Sequence, residues 1–78
     1  MQTGTATGSG VTASVTCPAS NPIAVGGGGS TTNGSIAQSF PITGTNASTN
    51  GVTANGWRAL QTGGNGGSVT TVYVICAK

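Results

Sequence analysis

The chain contains no aspartate, glutamate or histidine, and its only charged side chains are Arg58 and Lys78. These absences exclude most side-chain chemistry. With no group titrating near neutrality, general acid–base catalysis has no proton carrier, and nucleophile–histidine–carboxylate arrangements cannot be assembled. A metal ion would find no ordinary ligand beyond Cys17 and Cys76, and two thiolates do not complete a zinc site. Calcium would have to be held by carbonyls and amides alone. The expectation is therefore a protein without catalytic residues, metal or cofactor. A formal net charge of +2, without clustered lysine and arginine, argues against phosphate-dominated nucleic-acid binding. No apolar run approaches the length of a membrane-spanning helix, so no membrane insertion is expected.

Other residues are scarce in an equally informative way. Trp57, Tyr73 and Phe40 are the only aromatic side chains, which caps the core that 78 residues can build. Helix formers are few and no segment repeats its apolar residues every 3.6 positions, so helices are not expected. The N-terminal segment Met1–Gly8 has neither a basic region nor an apolar stretch of the kind found in a signal peptide. On that reading the chain is either an excised mature domain or a complete product made in a cytosol and later released.

What is present is glycine, threonine, serine, asparagine and short β-branched runs. The densest run is Val69-Thr70-Thr71-Val72-Tyr73-Val74-Ile75-Cys76, apolar on both of its alternating faces, which suits a central strand covered on both sides. Val11–Cys17 alternates apolar Val11, Ala13, Val15 and Cys17 with threonine and serine, the pattern of a half-buried strand. Both cysteines end such runs. A core this small needs a staple, and a bond between Cys17 and Cys76 would tie the first strong strand to the last. Closing a loop of roughly 60 residues contributes about 4 kcal/mol in the chain-entropy model. The alternative is a pair of buried, reduced thiols. A disulfide implies an oxidising destination.

Between these strands the chain punctuates itself. Pro18–Pro22 is a turn. Ile23-Ala24-Val25 runs into Gly26–Gly29, either a linker or a strand whose missing side chains let a bulky group such as Trp57 approach; the packing reading is preferred, because the glycines follow a strand directly. They lack the lysine and the following helix of a phosphate loop. Asn33-Gly34 signals a type I′ hairpin into Ser35–Phe40, with Pro41 marking an edge or a stop. Thr43–Asn55 is a long polar loop, Gly56–Gln61 a further strand, and Gly63–Gly67 a hairpin turn into the last one. The expected fold is all-β, a small antiparallel-rich sandwich or flattened barrel of about five strands with one disulfide. Residues 1–9 are expected as a flexible arm and residues 10–78 as a single stapled domain.

Binding is the remaining class of function. Candidate interface residues are Trp57, Arg58 and Tyr73, with Asn46 and Asn50 from the long loop and Thr3 and Thr5 from the arm. Against a binding role, Trp57 fills a core that has no other tryptophan, and Arg58 solubilises the opposite face of its strand.

Taken together, Cys17-Pro18, Ile23-Ala24-Val25-Gly26-Gly27-Gly28, Ser39-Phe40-Pro41, Gly56-Trp57 and Val72–Ala77 resemble a small disulfide-closed β module of secreted bacterial proteins and bacteriophage structural proteins. The resemblance spans residues 11–77. It implies that the two cysteines pair, that the glycine-rich strand packs under the tryptophan, and that the role is structural or binding, with no shared catalytic site. The short reading frame and charge-poor surface favour the phage branch, hence a virion or extracellular location. The expected function is a virion protein that decorates or cements a capsid, its partners being copies of itself or a shell protein. The alternatives are a secreted or cell-surface carbohydrate-binding or adhesion module, with glycan as partner, and a self-assembling filament or surface-layer subunit.

Overall fold

A computed structural model describes residues 1–78. Seven strands and no helix make up the chain: β1 (Gln2–Thr7), β2 (Thr12–Thr16), β3 (Ile23–Thr31), β4 (Ser35–Thr43), β5 (Asn46–Ala47), β6 (Gly56–Thr62) and β7 (Val69–Ala77). They form two antiparallel sheets, one ordered β1-β7-β3 and the other β2-β6-β4-β5. The fold is all-β, with seven strands where about five were expected.

The two additional strands come from the segments expected as an arm and a long loop. The proposed arm is β1, whose Gln2–Thr7 pairs along its length with Val74–Val69. Its threonines carry too little apolar mass to announce a strand, but the β7 edge supplies the partner. Within the long loop, Asn46–Ala47 forms the short β5 against Ile42 and Thr43.

Both expected hairpins are instead crossings between sheets. β3 pairs with β7 and β4 with β6, so the Thr32–Gly34 turn carries the chain from one sheet to the other. A type I′ turn requires positive φ at both central residues; Gly34 has φ 82°, whereas Asn33 does not. Thr31 shapes the turn, its Oγ1 donating to the Asn33 carbonyl at 2.7 Å. The Gly63–Gly67 turn likewise separates β6 in one sheet from β7 in the other. Pro41 does not stop β4, which continues to Thr43 and pairs there with β5.

The core is small because the residues facing inward are small. Ala13, Ala59 and Val72 form its fully buried centre, with Ala6, Val15, Ile36 and Trp57 packed around them. The glycine run is part of β3, and its alternation sends Gly27 and Gly29 inward. A Cβ at Gly29 would come within 2.6 Å of the Ala59 Cβ, and one at Gly27 within 2.5 Å of the Trp57 ring. The missing side chains let the sheets approach more closely than branched residues would allow. Cys17, just beyond β2, bonds Cys76 in β7, with their Cα atoms 5.8 Å apart. The disulfide therefore joins the two sheets.

At the far end of the sandwich the organising residue is Gln61, which sequence reasoning passed over. It is 3% exposed. Its Oε1 accepts from the Gly10 N–H at 2.7 Å, and its Nε2 donates to the Asn33 carbonyl at 2.9 Å. Side chains at Gly34 or Gly64 would collide with this amide. One buried amide thus bonds two connections and packs against a third. Gln61→Leu leaves the Gly10 N–H unpaired and removes one of the two donors to the Asn33 carbonyl, and is expected to cost about 2 kcal/mol. The check is the urea midpoint at unchanged m-value.

Candidate functional site

The seven candidate interface residues fall on three surfaces. The first is the outer face of the β1-β7-β3 sheet. Strand β7 runs through its middle, and alternation buries Thr70, Val72 and Val74 while turning Thr71, Tyr73 and Ile75 outward. β7 was expected to be covered on both faces. It is flanked on both sides by strands, but nothing lies over its outer face, where Ile75 is 50% exposed. Thr3 pairs directly with Tyr73 and Thr5 with Thr71, so three candidates share this face.

Across β7, Tyr73 is opposite Gly28 and Ile75 opposite Gly26. The Tyr73 ring lies over Gly28 so closely that a Cβ there would meet the phenol oxygen at 2.5 Å. An aromatic side chain covering a cross-strand glycine shields exposed backbone and stiffens a strand that has no side chains of its own. The register slips by one residue between Ala24 and Gly26, a bulge that leaves Val25 as the extra residue, 62% exposed. Exposed Ile75, Tyr73 and Val25 therefore cluster at one end of this sheet, and Met1, just before β1, is exposed as well.

The second surface is a cleft of about 500 Å³ between the 48–54 loop, the start of β3, Pro41 and Trp57. Asn50 lines it together with Trp57. Trp57 is only partly exposed: its ring packs against Gly27, and its Nε1 donates to Ser39 Oγ at 2.8 Å. The indole hydrogen-bonding group is thus engaged within the chain.

The third surface is the outer face of the other sheet, where Ser14, Arg58 and Phe40 stand side by side. Arg58 was expected to be a free surface charge. Instead its Nε donates to Ser14 Oγ at 3.1 Å and an Nη donates to the Thr45 carbonyl at 2.8 Å. The guanidinium carbon lies 5.9 Å from the centre of the Phe40 ring, within cation–π range. Arg58 holds the start of the long loop onto the sheet. Asn46, one residue beyond that contact, is exposed on β5.

No group of three or more His, Cys, Asp or Glu side chains is placed to hold a metal ion, and no helix is long and apolar enough to cross a membrane. The disulfide fits an extracellular or otherwise oxidising environment. No family model, curated protein or solved structure matches this chain.

Proposed function

We propose that this chain is a non-enzymatic structural protein of a bacteriophage virion, one that decorates or cements the outside of a capsid. The observation that carries the reading is the uncharged outer face of the β1-β7-β3 sheet, with Tyr73, Ile75 and Val25 exposed beside threonine rows. Such a face docks on a protein surface without desolvating a charge. The sequence resemblance to disulfide-closed modules of phage structural proteins gives the partner class. A carbohydrate platform is the weaker reading, because the two rings it would need lie apart: Trp57 sits between the sheets and Tyr73 on the outer face.

Co-sedimentation of the chain with assembled phage heads, set against unassembled capsid subunits, tests the proposal. The wild-type chain is expected to pellet saturably with assembled heads and to stay in solution with unassembled subunits. Ile75→Glu should weaken binding at least about tenfold, as expected for a central contact residue, with an unchanged circular dichroism spectrum. A chain that ignores assembled heads and binds a glycan array would overturn the reading.

A further inference from the structure

The open edges of the sandwich are β1 and β3 in one sheet and, in the other, β2 and β4 with the two-residue β5 across its end; all but β1 are protected or too short to pair. β4 carries Pro41, a bulge between Ile36 and Gln38, and β5 across its end. β3 is bulged at Val25, and its Ala24 amide is taken by the Ala54 carbonyl. Glycines at positions 26–29 also give β3 no side chains to offer a neighbour. The Ser14 carbonyl of β2 lies against Gly4 of the opposite sheet. The β1 edge has no such device: no proline, charge, bulge or covering loop interrupts Gln2-Thr3-Gly4-Thr5-Ala6-Thr7. Natural edge strands ordinarily carry at least one of these, because a bare edge is a template for pairing.

The direction of the free backbone groups follows from one hydrogen bond. The Gly8 N–H donates to the Ser68 carbonyl of the facing strand, in the same antiparallel register as Gln2↔Val74 through Thr7↔Val69. In an antiparallel ladder residues alternate between bonding the neighbour and facing away. Gly4 and Ala6 therefore bond β7, while Thr3, Thr5 and Thr7 direct their N–H and C=O groups outward. No hydrogen bond outside the strand ladders involves the backbone of these threonines.

We infer that β1 is a pairing edge for a second copy of this chain, joined antiparallel about a two-fold axis at Thr5. In that register Thr5 faces Thr5 of the partner copy, and Thr3 faces its Thr7. Every outward N–H then meets an outward carbonyl, and the threonine side chains stand opposite one another on the shared outer face. Shifting the axis to Gly4 sets Thr7 against Met1, which lies outside β1. Cross-strand threonine pairs are favourable in themselves, and no acidic or basic side chain lies on β1 to oppose its own copy. The contact is self-complementary, so it closes as a dimer and does not propagate. Two three-stranded sheets become one six-stranded sheet with both apolar clusters on the same side. The pairing does not depend on the identity of any shell.

Thr5→Pro isolates the edge, because the lost N–H faces outward and the bonds between β1 and β7 remain. Sedimentation equilibrium and amide exchange on the full chain supply the readouts. The wild type should form dimers, with concentration-dependent protection of the Thr3, Thr5 and Thr7 amides; Gly4 and Ala6 should be protected at every concentration. Thr5→Pro should be monomeric with an unchanged circular dichroism spectrum. Should Thr5→Pro unfold, concentration dependence of the three threonine amides in the wild type decides alone. A wild type that stays monomeric with freely exchanging threonine amides overturns the inference. So does growth beyond dimers, which would mean head-to-tail pairing, or protection that appears only when another protein is added.

Discussion

Reduction of the Cys17–Cys76 bond is expected to lower the unfolding free energy by about 4 kcal/mol, the largest single effect available in this molecule. The bond spans 59 positions, so cutting it returns most of the chain's freedom to the unfolded state. Nothing else in the fold substitutes for it. The fully buried apolar side chains are two alanines, two valines and one isoleucine, far less apolar mass than a domain of this size ordinarily buries. Domains of this class are stable by only about 5–15 kcal/mol, and the thin core places this chain at the lower end. Thermal unfolding with and without reductant is the measurement, with a fall in Tm of roughly 20 °C expected. Cys17→Ala combined with Cys76→Ala should reproduce it. A change of only a few degrees would mean that the sheets hold one another without the bond.

The second large effect is expected at one glycine and not at its neighbour. Gly27→Ala places a methyl group 2.5 Å from the Trp57 ring and 2.6 Å from the Tyr73 carbonyl. The ring cannot swing away freely, because it is held between the sheets and its Nε1 is bonded to Ser39. The carbonyl belongs to the β3–β7 ladder and moves only with the strand. Overpacking of this kind costs about 3 kcal/mol. At Gly26 an added Cβ meets nothing within 4 Å, and its φ is not in the left-handed region. Gly26→Ala should therefore be neutral or stabilising by up to about 1 kcal/mol, since alanine restricts the unfolded chain. Urea denaturation of the two variants side by side makes the comparison. Equal midpoints would mean that the glycine–tryptophan contact does not set the spacing of the sheets.

That contact also shows how far the sequence could be read. Four glycines directly after a strand, and one tryptophan elsewhere, suggested close packing; the structure puts Gly27 inward beneath the indole. The alternation of Val11–Cys17 and the β-branched density of Val69–Cys76 located β2 and β7, and the cysteines ending those runs form the disulfide. The turns were harder. Asn33-Gly34 and Gly63–Gly67 have the composition of hairpin turns, yet each separates strands in different sheets. Turn residues report local backbone conformation, and conformation alone does not say which strand a neighbour will pair with. β1 was missed for the reason that makes it interesting: threonine and glycine bury little, so its existence depends on the β7 edge, which is remote in sequence.

The candidate surfaces divide along the same line. Arg58 is the only arginine, and composition offered it as an exposed candidate for an interface. Its anchoring by Ser14 and Thr45 depends on a strand and a loop that meet it only after folding. Tyr73 and Thr3 were separately legible as candidates, but their pairing on one face required the register of β1 against β7.

By itself the sequence determined which side chains this chain lacks and the secondary structure open to it: without carboxylates, imidazoles or helix periodicity, little remains except strands that bury small residues. Tertiary structure decided the pairing, because a β-strand is completed by hydrogen bonds to a neighbour that its own residues do not specify. From that pairing follow the inter-sheet position of the disulfide, the outward turn of Tyr73 and Ile75, and the bare edge at Thr3, Thr5 and Thr7.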